Sequence, residues 1–165
     1  IRDSSKGGFK IPDNISFEVA AAFPAVYLTS YLMVIHPGAL QKGESILIHG
    51  VAGGVGLASI ELAKIAGAKT IFGTCSPEKH DFVRDKGVLP VDKDNFLAEI
   101  MEWTDNKGVE LVLDPIGGDH LMQSYRCLGS GGRVCSFGIS VFTSTSSSAW
   151  TSIFQFVNFA ANLAF

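Results

Sequence analysis

The sequence predicts an α/β fold in which a parallel sheet is wound with helices on both faces. Three observations predict it. Short runs rich in Val, Ile and Leu alternate with helix-period segments between Ser45 and Phe137, the pattern of successive βαβ crossovers. The first run, Ile46-Leu47-Ile48, leads into a glycine cluster (Gly50, Gly53, Gly54, Gly56) and then into a helical pattern ending near Lys64. Strand, glycine turn and helix in that order place backbone N–H groups and a helix N-terminus against a phosphate. Finally, 165 residues with 18% charged and 47% hydrophobic side chains suffice for one well-buried core.

Ile11 to Ser16 reads as a loop ending in an N-cap at Ser16, and Phe17 to Phe23 as a short helix with Glu18 in its first turn. Pro24 is expected to interrupt that helix, which resumes from Ala25 to Ile35 and stops before Pro37-Gly38. This nearly uncharged pair must pack on the sheet or on another domain. In the glycine turn, Gly53 and Gly56 fit two places of G-x-G-x-x-G, while Val51 stands in the first. Without a ligand the same stretch is simply a tight strand-to-helix turn. Gly67 closes the helix.

Beyond it, Thr70 to Gly73 is a strand and Pro77 to Lys86 a helix with Ser76 as its N-cap. Val88 to Val91 is a strand whose Pro90 assigns it to an edge or a strand end. A helix over Asn95–Trp103, a buried strand over Val109–Leu113, a helix over Asp119–Leu128 and a strand over Arg133–Phe137 complete the series. The expected organisation is a linker and helical pair over residues 1–40, a Rossmann-type doubly wound parallel sheet over 41–140, and a Ser/Thr-rich linker with an apolar helix over 141–165. A nucleotide would lie at the carboxyl ends of the strands.

The turns at those ends carry the candidate site. After the second strand, Thr74, Cys75 and Ser76 occupy the place where an NAD-preferring site carries an acidic residue, and none of them is acidic. A hydroxyl at Ser76 and the charge of Lys79 suit a ribose 2′-phosphate; alternatively Ser76 only caps and Lys79 is solvated. The turns Asp114-Pro115-Ile116-Gly117-Gly118 and Phe137-Gly138 let backbone approach the nicotinamide half of a dinucleotide.

A net charge of −3 with scattered basic residues argues against a nucleic-acid partner. Cys75, Cys127 and Cys135 cannot all pair and are read as reduced, in a cytoplasmic type of setting. There is no C-x-x-C spacing and the four histidines are far apart in sequence, so no metal site is expected. His49 reads as a hydrogen-bonded structural residue, with His80 and His120 on helix surfaces. No nucleophile–base pair is present, so no catalytic residue is assigned. The chain starts without Met and without a signal-peptide apolar core, and is expected to be part of something longer. From Ala149 to Phe165 the residues Ser152, Gln155, Asn158 and Asn162 form a polar stripe on an apolar helix. Such a helix would cover another domain, a second copy in a homodimer, or a membrane surface.

The segments Ala20–Tyr31, Lys42–Lys64, Phe72–His80, Gly108–Gly118 and Gly131–Gly138 resemble the medium-chain dehydrogenase/reductases, in the zinc-independent quinone-oxidoreductase branch. Within that branch FGTCSPEKH and LDPIGG look closest to the vesicle amine transport protein group, whose members can be peripheral to membranes. The resemblance implies an NADPH-dependent reductase that transfers hydride to a quinone or an α,β-unsaturated carbonyl. It implies that the backbone of Gly53, Gly54 and Val55 holds the pyrophosphate and that Thr29 approaches the nicotinamide. It further implies that Ser76 and Lys79 take the 2′-phosphate, with Lys93 adding charge nearby, while Phe137 and Gly138 contact the carboxamide. It places the catalytic domain, with any zinc ligands, outside this chain. Val51 departs from the Ala usual in this turn, which makes the backbone there less accommodating. A second reading is a non-catalytic Rossmann-like interaction or membrane-associated module with a degenerate nucleotide site.

Overall fold

The computed structural model describes residues 10–137. Five parallel strands form one sheet: β1 (Ser45–His49), β2 (Thr70–Thr74), β3 (Leu89–Val91), β4 (Val109–Asp114) and β5 (Leu128–Ser136). Their order across the sheet is β3-β2-β1-β4-β5. The connection from β3 to β4 therefore returns past β2 and β1, which puts the reversal of winding between β1 and β4. In such a sheet the crevice for a ligand opens at the carboxyl ends of those two strands.

The helices are α1 (Phe17–Val34), α2 (Gly54–Ala66), α3 (His80–Arg84), α4 (Phe96–Trp103) and α5 (Gly118–Arg126). Both faces of the sheet are covered, and β1 shows why its apolar run is continuous. Ile46 and Ile48 join Val34, Ile60, Ala63 and Val83 from α1, α2 and α3 in one core. Leu47 points the other way, to Phe96, Ile100 and Cys127 beside α4 and α5. A strand buried on both sides needs apolar residues at every position. As expected, Pro90 lies in an edge strand, β3, which pairs with β2 alone and so has room for a missing N–H.

Four expectations are corrected. Pro24 does not divide the first helix, which runs unbroken from Phe17 to Val34. The proline removes one bond to the Ala20 carbonyl, but it sits on an exposed face, and packing on α2 holds the helix. Ser16 caps it as expected, accepting from the Val19 N–H at 3.3 Å. The helix expected over Pro77–Lys86 is instead a 3₁₀ turn, Pro77–Lys79, followed by the short α3. Ser76 has N-cap backbone geometry but no side-chain cap, because its hydroxyl donates to Glu78 Oε1 at 2.5 Å. The last strand starts at Leu128 rather than Arg133, with an irregularity against β4 between Val109 and Leu111.

Arg133 anchors the strand that carries it. Its guanidinium donates to Glu44 Oε1 (3.0 Å) and Oε2 (2.5 Å), to the carbonyl of Ala39 (2.8 Å) and to that of Gly38. The loop between α1 and β1 is thereby tied to β5. The Arg133 guanidinium also holds the Glu44 carboxyl below its usual range.

Candidate functional site

The glycine turn is built by close approach. Gly50 takes φ +63°, which turns the chain out of β1. A Cβ on Gly56 would lie 2.4 Å from the Val51 carbonyl oxygen, so the first turn of α2 rests directly on the loop backbone. Val51 does not intrude on the ligand side. Its side chain is fully buried, and a Cβ on Gly73 of β2 would lie 2.6 Å from Val51 Cγ1. The residue that breaks the strict glycine pattern thus fills a space that Gly73 leaves open beneath the turn. The turn backbone is not made less accommodating.

Gly53 and Gly54 are exposed at the start of α2, where the first N–H groups have no acceptor within the helix. Bare backbone, a helix N-terminus and a switch-point crevice together fit a dinucleotide pyrophosphate. α1 crosses this helix start. A Cβ on Gly54 would come within 3.0 Å of Val26 Cγ1, and the buried Ser30 hydroxyl lies 2.8 Å from the Val26 carbonyl and 2.9 Å from that of Val55. Thr29, half-buried beside Ser30, donates its hydroxyl to the Ala25 carbonyl at 2.8 Å.

The remaining sequence candidates surround the same end of the sheet. Ser76 and Lys79 follow β2, with Lys79 exposed and Ser76 engaged by Glu78. Burial pushes the neighbouring Cys75 thiol up. Lys93 follows β3 and pairs with Asp94 at 3.1 Å. Phe137 follows β5, half-buried, its N–H donating to the Asp114 carbonyl at 3.0 Å. Gly138 and the helix expected over 149–165 lie outside the described residues.

Sequence reasoning missed a buried polar chain on the floor of the crevice. His49, at the end of β1, places Nδ1 3.0 Å from Thr74 Oγ1 and Nε2 3.0 Å from Ser124 Oγ. Ser124 donates to Asp114 Oδ2 at 2.7 Å, and His120 Nδ1 lies 3.0 Å from the same oxygen. Asp114 Oδ1 accepts from the N–H groups of Ile116 (2.7 Å) and Gly117 (2.9 Å). Burial alone would raise the Asp114 carboxyl; the donors from His120, Ser124, Gly117 and Ile116 outweigh it and hold the group well below the usual carboxylate range. Burial pushes His49 down to about 3, with His120 acting in the same direction and Asp114 against it, so His49 is neutral at physiological pH.

His49 is a structural, hydrogen-bonded histidine, as expected. His120 is not a surface residue: its ring packs on His49 (4.3 Å between centroids) and on Phe96 (4.8 Å). His49 meets Thr74 across 25 positions of sequence and Ser124 across 75, so no local spacing reveals the group. Asp114 in its Pro-Ile-Gly-Gly turn was the one visible signal. His49, Asp114 and His120 also form the one group of three potential metal ligands among the described residues. They do not fit a zinc ion, because both His49 nitrogens are engaged by hydroxyls and the carboxylate already receives four donors. Cys75, Cys127 and Cys135 are free thiols.

The described surface also carries an apolar groove of about 730 Å³ along the outer side of α1, lined by Ile11, Val19, Phe23, Tyr27, Leu28 and Tyr31. By length and composition α1 is apolar enough to cross a membrane.

Comparison with known proteins agrees with this arrangement. The zinc-binding dehydrogenase family matches residues 54–162. The synaptic vesicle membrane protein VAT-1 homolog of Danio rerio is 39% identical over 132 residues, which are 79% of this chain and 27% of that protein. The CurK enoyl reductase crystal structure superposes with a TM-score of 0.75 at 36% identity, covering 79% of this chain and 40% of the other. A quinone oxidoreductase of Pseudomonas syringae pv. Tomato superposes with a TM-score of 0.75 at 30% identity, covering 89% and 46%. The chain thus spans between about a quarter and just under half the length of these proteins. It belongs to the zinc-binding dehydrogenase family, in the quinone-oxidoreductase branch of the medium-chain dehydrogenase/reductases, and corresponds to their nicotinamide-dinucleotide-binding part.

Proposed function

We propose that this chain is the NADP(H)-binding domain of a zinc-independent reductase acting on a quinone or an α,β-unsaturated carbonyl compound. The observation that carries the cofactor choice is the end of β2. Thr74, Cys75 and Ser76 offer no carboxylate to a ribose 2′-hydroxyl, while Ser76 and Lys79 stand where a 2′-phosphate would sit. The solved enoyl reductase and quinone oxidoreductase relatives support the reaction class.

In this reading the bound cofactor supplies the hydride, and the chain orients it. The pyrophosphate sits on the backbone of Gly53, Gly54 and Val55, where Gly54 and Val55 offer their N–H groups while the Gly53 N–H donates to the Gly50 carbonyl at 2.9 Å and holds the turn. Ser76, Lys79 and Lys93 hold the 2′-phosphate, for which the Ser76 hydroxyl must leave Glu78. Thr29, Phe137 and Gly138 border the nicotinamide. Substrate walls and any metal ligands come from the remainder of the protein, joined to the core bounded near residues 41 and 140. Titration of the full-length protein with NADPH and NADH tests the assignment: NADPH is expected to bind at least tenfold tighter, and equal affinities would remove the 2′-phosphate site.

A second reading, peripheral association with a membrane, is favoured by the exposed apolar side of α1, where Phe17 is 81% and Leu28 60% exposed. The synaptic vesicle membrane protein relatives point the same way. Co-sedimentation with liposomes, before and after Phe17→Ser and Leu28→Ser, decides it; unchanged partitioning would exclude α1 as the contact.

A further inference from the structure

Donor and acceptor roles along the buried chain can be assigned link by link. Four donors converge on Asp114, which therefore acts only as an acceptor. Ser124 must donate to it, since two oxygens 2.7 Å apart with no hydrogen between them repel. With its hydrogen committed, Ser124 can only accept from His49, which makes that nitrogen Nε2–H. A neutral His49 then presents a bare Nδ1, and Thr74 donates its hydroxyl hydrogen to it. The Thr74 oxygen accepts the Gly50 N–H at 3.3 Å. One direction runs through every link: Gly50 N–H to Thr74, Thr74 to His49, His49 to Ser124, Ser124 to Asp114. Hydrogen bonds aligned this way polarise one another in a buried setting.

The two ends of this chain are the two walls of the crevice. One end is the first peptide of the glycine turn. The other is the β4–α5 turn, where Asp114 Oδ1 fixes the N–H groups of Ile116 and Gly117 and the Asp114 carbonyl fixes Phe137. The geometry points to Asp114 as a positioning residue for the dinucleotide, which through Ser124, His49 and Thr74 sets the orientation of the Gly50 amide and the register of the glycine turn. This role rests on the dinucleotide reading of the crevice. It gives the buried carboxylate a task in cofactor binding without contact to the cofactor.

Asp114→Asn reverses the chain. The Ile116 and Gly117 N–H groups keep an oxygen at the Oδ1 position, which places the amide NH₂ against Ser124. Ser124 must then donate to His49 Nε2, and His49 must carry its hydrogen on Nδ1. Nitrogen-15 NMR of the histidine rings in the full-length protein reads this directly. The wild type is expected to show His49 as the Nε2–H tautomer, and Asp114→Asn as the Nδ1–H tautomer with NADPH bound about tenfold more weakly. Ser124→Ala cuts one link while leaving the backbone caps of Asp114 in place, and serves if the first variant folds poorly. It is expected to mix the two tautomers and to weaken NADPH to a similar degree. An Nδ1–H tautomer in the wild type would overturn the chain. Unchanged tautomer or unchanged NADPH affinity in both variants would overturn the positioning role. The expected tautomer together with no dinucleotide binding in the wild type would overturn the dinucleotide reading, and the positioning role with it, while leaving the chain intact.

Discussion

Val51 and Gly73 should behave as one packing unit. Adding a methyl at Gly73 places Cβ 2.6 Å from Val51 Cγ1 and 2.7 Å from its Cβ, inside any allowed carbon contact. Gly73 has no positive φ, so alanine there costs overpacking and not backbone strain. Gly73→Ala should destabilise by about 1–3 kcal/mol. Val51→Ala removes two fully buried methyl groups and should cost about 2 kcal/mol. In the double variant the two Cγ clashes disappear while the Cβ at position 51, 2.7 Å from the new methyl, still has to shift, so the combined loss should fall about 1 kcal/mol short of the sum. Gly56→Ala is the control. Its Cβ would meet the Val51 backbone, at 2.4 Å from the carbonyl oxygen, so Val51→Ala should not relieve it. Urea unfolding with a constant m-value reads all these differences. Additivity of Val51→Ala and Gly73→Ala within about 0.5 kcal/mol would refute the idea that Val51 is a substitution matched by Gly73.

Three further outcomes follow from the site. His49 is depressed from 6.5 to about 3 on folding, so below the unfolded value the unfolded chain binds the proton that the folded chain refuses. Stability present above pH 6.5 is therefore lost progressively toward pH 3, and His49→Gln should flatten the urea midpoint against pH across that window. Glu78 holds the Ser76 hydroxyl and sets a negative charge beside the proposed phosphate site; Glu78→Gln should raise NADPH affinity several-fold and leave NADH unchanged, as measured by cofactor fluorescence titration. Arg133→Lys cannot reproduce the forked contact to both Glu44 oxygens together with the Ala39 carbonyl. Thermal unfolding should show a loss of about 2 kcal/mol, with Arg133→Ala little worse.

The positions of the strands were legible because doubly buried strands leave uninterrupted apolar runs, as in Ile46-Leu47-Ile48, and because Gly67 and Pro90 mark an end and an edge. Local rules misled where a competing contact, local or tertiary, outbid them. Pro24 reads as a breaker, yet α1 continues through it on the support of α2. Ser76 reads as a cap, yet a carboxylate two residues away takes its hydroxyl. Glycines between Leu128 and Arg133 read as a loop, yet β4 draws them into β5.

The sequence by itself determined the α/β class, the glycine turn at the end of β1 and the acid-free end of β2, since each is a matter of residues adjacent along the chain. Which side of the turn Val51 occupies, and the meeting of Thr74, His49, Ser124 and Asp114 beneath it, were decided only by tertiary structure. The strand order β3-β2-β1-β4-β5 sets β1 between β2 and β4, and hydrogen bonds across 25, 75 and 10 positions of sequence leave no periodicity that a linear pattern could carry.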